Sequence, residues 1–550
     1  MRVINGLLLP CALLIVCACG RADAADDDKP IAPLLKDLGD HHHKVTTASS
    51  QAQQFFDQGL RLVFGFNHAE AIRAFREAAR LDPNCAMAYW GHALALGPNI
   101  NAPMDREAEK QAYEVLQKAI QLKPKVSQVE RDYIDALAVR YSVAEDADRV
   151  ALDTAFADAM ARLAQKYPDD LDAVTLYGEA LMDLSPWNYW TKDGHAQPGT
   201  EKIVETLESV IARNDSHPGA LHYYIHAVEA SQTPGRAEAA ADRLGKVMPG
   251  AGHLVHMPAH IYIRIGRYAD ASDANVRAIA ADNEYITQCR SQGIYPLLYH
   301  PHNIHFLWAA ASLEGRSEQA LRAARKVASK VELEHLEMPG GGELQSFLIP
   351  PLYALTRFGK WDDILREPAP PANLAFPTGV WHYARGMAFA GQGKFDDAKS
   401  EHAQLVAKSE DESVQELLVA GANTAARILA VAAAALEGEI AARSGDTDQA
   451  IDHLELAVRL QDGLAYYEPP AWHYPVRQSL GAVLLEAGRA SEAETVYWED
   501  LRRTPENGWS LFGLMQSLRA QDRNDEADAI GKRFEKAWSR ADVKLTSSRM

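Results

Sequence analysis

The chain has 550 residues, too many for one compact core unless that core is built by repetition. Hydrophobic residues make up 47% of it, which argues for a folded chain, while near-average Gly (35) and Pro (27) exclude a collagen-like or wholly disordered polymer. A formal net charge of −19 disfavours nucleic acid and anionic membrane surfaces as partners, and suits a soluble protein or a cationic ligand.

In chain order, residues 1–24 read first as a targeting segment. Arg2 precedes an apolar run, Leu7 to Val16, that is too short to span a bilayer as a helix. Two processing sites compete. Val16-Cys17-Ala18-Cys19 reads as a lipobox that would leave a lipid anchor at Cys19, and Ala22-Asp23-Ala24 as a soluble signal-peptide cleavage site. Either way the mature chain is expected to be exported, periplasmic or lipid-anchored to the membrane, most simply in a bacterium. Cys11, Cys17 and Cys19 fall in this segment. Cys85 and Cys289 remain, too few for a disulfide framework. Residues 25–51 are polar and read as an extended arm, whose His41-His42-His43 tract would scavenge metal or fold back on the groove.

From residue 52 the pattern is helical and periodic. Gly59, Ala71, Phe75, Ala78 and Pro83 sit at positions 8, 20, 24, 27 and 32 of a unit spanning 52–85. Small residues at 8 and 20 let two helices pack closely, the aromatic at 24 fills the seam with the next repeat, and the proline ends the second helix. The spacing recurs at 252–285 (Ala259, Gly266, Ala271, Ala278), 301–334 (Gly315, Ala320), 379–412 (Gly386, Gly393, Ala398) and 474–507 (Gly481, Gly488, Ala493, Tyr497, Pro505).

At these residues the chain resembles the tetratricopeptide-repeat (TPR) family. The resemblance implies an all-α solenoid of about a dozen helix pairs, a superhelix with a concave groove. It implies no activity, because such arrays host many tasks. No run reads as a strand. The expected layout is N-terminal repeats with insertions over 52–214, a central histidine-rich set over 215–335, C-terminal repeats over 336–541 and a tail over 542–550. Breaks at 97–103, 185–198, 283–300, 339–342 and 367–377 are long for a tight solenoid, and such loops are often functional.

The central set carries the sharpest signal. Eight of the 20 histidines fall between residues 222 and 305. His222 and His226 are four residues apart, as are His256 and His260, and the second pair follows the first by 34 residues, the repeat period. The pairs therefore occupy positions 5 and 9 of neighbouring repeats. His253 and His302 fall at position 2, His305 at position 5 of the next repeat and Glu229 at position 12. The family resemblance implies that positions 2, 5, 9, 12 and 13 face the groove, so these side chains would share one inner wall.

Packed helices lie about 8–10 Å apart, and imidazoles from neighbouring helices can meet an ion about 2.0–2.1 Å from each nitrogen. The expectation is a transition-metal site drawn from His222, His226, His253, His256, His260, His302, His305 and Glu229. Copper or zinc is favoured, and iron also suits the donors. An open coordination position would support redox or hydrolytic chemistry in a metal-dependent oxidase, oxygenase or hydrolase. Two other readings stand beside it: a metal storage or delivery protein, and a non-enzymatic scaffold gripping a peptide, a partner protein or a small molecule in the groove. The twin triplets Trp381-His382-Tyr383 and Trp472-His473-Tyr474 read as packing.

Overall fold

The computed structural model describes residues 29–289, 295–336 and 341–550. The expected targeting segment, with Cys17 and Cys19, lies outside the described residues. Helices dominate and pack in consecutive pairs, as in Ser50–Phe64 with His68–Leu81, Ala375–Gly391 with Phe395–Ser409, and Gly508–Arg519 with Asn524–Ala537. Among the described residues no helix is long and apolar enough to cross a membrane. One short antiparallel pair, Leu418–Ala420 with Asn423–Thr424, corrects the expectation of no strand. Gly421, at φ 57°, makes its turn, and Asn423 Nδ2 donates to the Ala420 carbonyl across it. Cys85 carries a free, buried thiol.

The glycines at position 8 show why the helices pair. The Phe75 ring lies between Gly59 of its own repeat and Gly91 of the next helix. A Cβ on either would sit 2.6 Å or 2.4 Å from Phe75 Cε1. The same seam recurs at Tyr497, which separates Gly481 from Gly513. In each case the missing Cβ makes room for an aromatic ring that is itself fully buried.

Position 15 shows a second rule. The turn between paired helices needs a left-handed residue there, and Gly266, Gly315, Gly393 and Gly488 supply it with φ between 72° and 82°. The first repeat puts Phe66 in that place at φ 55°. A bulky side chain in this region costs roughly 1–2 kcal/mol.

The chain forms two compact units. One gathers residues 29–261 and 276–300 among those described, the other 262–275 and 301–550. In the first unit the opening repeat and the 97–103 break touch segments far along the chain. Phe64 packs on Gly219, the Tyr285 hydroxyl donates to Asn67 Oδ1 (2.9 Å), and Asn101 Nδ2 donates to the Tyr299 hydroxyl (3.0 Å). In the second unit Tyr353 stacks on His473 with centroids 4.1 Å apart, and Arg357 lies 3.6 Å over Trp509. The twin Trp-His-Tyr triplets belong to this packing, where His382 Nδ1 pairs with Glu401 at 2.6 Å.

Replacing Gly91 by alanine forces Phe75 out of its seam. The expected cost is about 1–3 kcal/mol, read as a lower urea midpoint at an unchanged slope.

Candidate metal centre

The helix Pro218–Val228 begins with a histidine cap, His217, whose Nδ1 accepts from the Ala220 amide, followed by proline in the first turn. That start sets His222 and His226 one turn apart on one face. The short helix Gly252–His256 brings in His253 and His256, and Pro258–Arg264 carries His260. Gly252 is required where the chain enters, because a Cβ there would meet the Asp282 carboxylate.

His222, His226 and His253 each place a ring nitrogen so that all three lie within 4.8 Å of one another. These three side chains are at most 3% exposed. The His222 and His253 Nε2 atoms are 3.1 Å apart, close to the roughly 2.9–3.4 Å expected of two imidazole nitrogens sharing an ion at about 2.0–2.1 Å. His226 Nε2 is buried without a hydrogen-bond partner. Beside this trio, His256 and His260 bring their Nε2 atoms to 2.8 Å.

The protons can be placed by chemistry. His222 Nδ1 lies 2.6 Å from the Phe64 carbonyl, which only accepts, so Nδ1 carries the hydrogen and Nε2 presents its lone pair. Glu229 does the same on the other side. Its Oε1 is 3.3 Å from His226 Nδ1, and its Oε2 is 2.5 Å from His260 Nδ1, close enough to pair though off the line of a good hydrogen bond. Glu229 therefore meets the outer nitrogens, the place of a group that orients ligands.

Burial, followed by neighbouring imidazoles, pushes His222 and His253 well below the ordinary imidazole range, and burial also lowers His226. Burial alone would raise Glu229, but His260 and His226 more than offset it and bring it down to about 2. His222, His226 and His253 thus rest neutral near a charged carboxylate, and neutral imidazoles are what a metal requires.

Aromatic rings wall the trio. Phe66 meets His222 edge-on at 4.5 Å and stacks near His226 (5.9 Å) and His253 (5.8 Å). Both early loops close on it. Trp187, from the 185–198 insertion and at φ 62°, lies edge-on to His226, and Asn101, from the 97–103 break, holds Tyr299, whose ring lies 4.8 Å from His253. Sequence reasoning missed Phe64, Phe66 and Trp187. The available signal was an aromatic at position 15, where other repeats have glycine.

The remaining two expected ligands lie in the other unit. His302 stands edge-on to Phe306, and His305 stacks on Trp308 at 5.0 Å, with burial pulling its imidazole down to about 3.

The depressed histidines fix the sign of the acid response. The unfolded chain binds protons near pH 6.5 that the buried imidazoles refuse, so their contribution is present above that pH and is lost as pH falls. Glu229 adds a term present above its ordinary 4.5 and lost as pH falls toward about 2. The metal-free protein is expected to lose thermal stability steadily from about pH 7 to about pH 5, and His222→Asn is expected to flatten that slope in a series of melting curves.

No protein-family model and no curated protein sequence matches the chain. Among solved structures it is similar to the human IFIT1 dimer with m7Gppp-AAAA, at 12% identity over 90% of this chain and 91% of that one, with a TM-score of 0.31. It is also similar to the human IFIT1 dimer with PPP-AAAA, at 12% identity over 87% and 88%, with a TM-score of 0.30.

Proposed function

We propose that the protein is a helical-repeat binding protein that holds a transition-metal ion, zinc or copper, on His222, His226 and His253, with His256 and His260 as adjacent imidazoles. One observation carries the reading. Nδ1 of His222, His226 and His260 each faces an oxygen acceptor, while one ring nitrogen from each of His222, His226 and His253 lies within 4.8 Å of the other two in a buried space. An Nδ1 proton on His222 and on His226 leaves two Nε2 lone pairs buried, with His226 Nε2 lacking any donor, and such buried acceptors suit an ion better than ordinary packing does.

In this reading Phe64 and Glu229 hold the tautomers, Phe66 and Trp187 exclude water, and the ion supplies Lewis acidity or redox capacity when bound. The burial of all three imidazoles favours a protein that stores or delivers its ion over one that turns over a substrate. A metal-dependent enzyme is the second reading, and the aromatic and tyrosine wall around the trio is what favours it.

Protein purified without an affinity tag and stripped by a chelator should take up zinc(II) or copper(II) near one equivalent, read by calorimetry and elemental analysis. Saturation near 100 times Kd should stabilise the fold by about 2.7 kcal/mol. Glu229→Gln should weaken binding by about 10–100-fold, and the His222→Ala, His253→Ala double variant should abolish it. Metal uptake that survives the double variant unchanged would sink the proposal.

A further inference from the structure

The first unit holds a second histidine cluster, built differently. Residues 31–47 lie along the helices of this unit without forming helix or strand. Their main chain is gripped by side chains. Gln58 accepts from the Leu35 amide and donates to the Pro33 carbonyl, and Gln53 does the same for Val45 and His43. Arg73 donates to the Ile31 carbonyl and Arg61 to that of His41. Such contacts hold any extended segment, whatever its sequence.

The sequence-specific contacts are made by Thr46, which donates to Glu130, by Thr47, which donates to Asp82, and by the histidines. His41 Nε2 meets Asp172 Oδ1 at 2.9 Å, His43 Nδ1 meets Asp172 Oδ2 at 2.7 Å, and His217 Nε2 meets Asp172 Oδ1 at 3.1 Å. His42 Nδ1 pairs with Asp57 at 2.8 Å.

The composition suggests a metal site, but the protons argue otherwise. His217 Nδ1 accepts from the Ala220 amide, so its hydrogen is on Nε2 and points at Asp172. A carboxylate surrounded by N–H donors offers no convergent lone pairs from its imidazoles. A cavity of about 600 Å³, lined by the arm, by Asp169 to Asp172 and by His217, brings solvent to the cluster.

We propose that this cluster is a proton-controlled latch: charging His43 tightens the arm onto Asp172, and discharging it loosens the arm. The surroundings favour the charged form. Asp57 and Arg61 face the arm from Ser50–Phe64, and Tyr133 reaches from Gln128–Ala138, its ring edge-on to His43 and its hydroxyl on Asp170. Asp169 and Asp170 flank Asp172, and Asp40 and Lys44 lie on the arm itself. Five carboxylates thus oppose two cations.

Burial works against a charge on His43, but Asp172, Asp170 and Asp57 overcome it and raise its pKa. Burial likewise works against a charged Asp172, which its three imidazole partners hold well below the usual carboxylate range. The two signs follow. The His43 contribution is complete below its unfolded value of 6.5 and is lost as pH rises through the raised value. The Asp172 contribution is complete above 3.8 and is lost only in strong acid. The latch is therefore tightest between those limits and loosens toward alkaline pH, opposite in sign to the central cluster.

Hydrogen–deuterium exchange of the chelator-stripped full chain tests this, with protection factors for residues 41–47 referenced to intrinsic rates. Between about pH 6 and about pH 8.5, protection should fall about fivefold, the difference between a charge-assisted and a neutral hydrogen bond. His43→Gln, which keeps a donor without the charge, should hold protection flat at the alkaline level. Asp172→Asn should do so too if circular dichroism shows it folded. Flat protection in the parent protein, or an undiminished fall in His43→Gln, overturns the latch. No metal is present in the experiment, so the outcome stands apart from the metal reading.

Discussion

The hydrogen bond from His222 Nδ1 to the Phe64 carbonyl does two things with one contact of 2.6 Å. It fixes the tautomer of the first trio histidine, and it ties the end of the first helix to a helix 158 residues later. Remove the carbonyl and Nε2 is free to take the proton, which would cap the lone pair that faces His253. The close approach that makes the bond depends on Gly219, where any Cβ would press into the Phe64 ring. Imidazole chemistry at the centre is therefore conditional on backbone packing between distant repeats.

Much of this was legible in the sequence. The small residue at position 8 and the aromatic at 24 gave the helix pairing, and Gly59, Phe75, Gly481 and Tyr497 pack as that pattern requires. Histidines at positions 5, 9 and 2 marked the wall where His222, His226 and His253 meet. The grouping itself was not legible. Position counting pairs His222 with His256, whereas the structure joins His222 to His253, because that wall is assembled from two short helices interrupted at Met257. Glu229 reads as a ligand by its spacing, yet its oxygens face the outer nitrogens. Phe64, Asp172 and His217 were invisible because their partners in the two clusters are 45 or more residues away, and no periodicity encodes such contacts.

The two histidine clusters show how little composition says without proton accounting. Both combine imidazoles with a buried carboxylate. In one, the carboxylate sits against the outer nitrogens of His226 and His260, and the Nε2 lone pair of His222 faces inward. In the other, the carboxylate is itself the centre and the hydrogens point inward at it. The helix cap at His217 decides the second case, since an amide can be accepted only by a bare nitrogen.

Phe66 offers a last consequence. In a repeat array each unit ordinarily touches its neighbours alone, so folding spreads along the chain like a one-dimensional transition, and ends can fray independently. Here the opening repeat spends a strained, non-glycine turn to reach a ring contact with residues 222 and 253. That contact joins the array back on itself. Fraying the first helix pair would break the central cluster, and loosening the cluster would release the strain in the turn. The unit should then melt as a single cooperative block, and its slow step should be the long loop closure that brings Phe66 to its histidines.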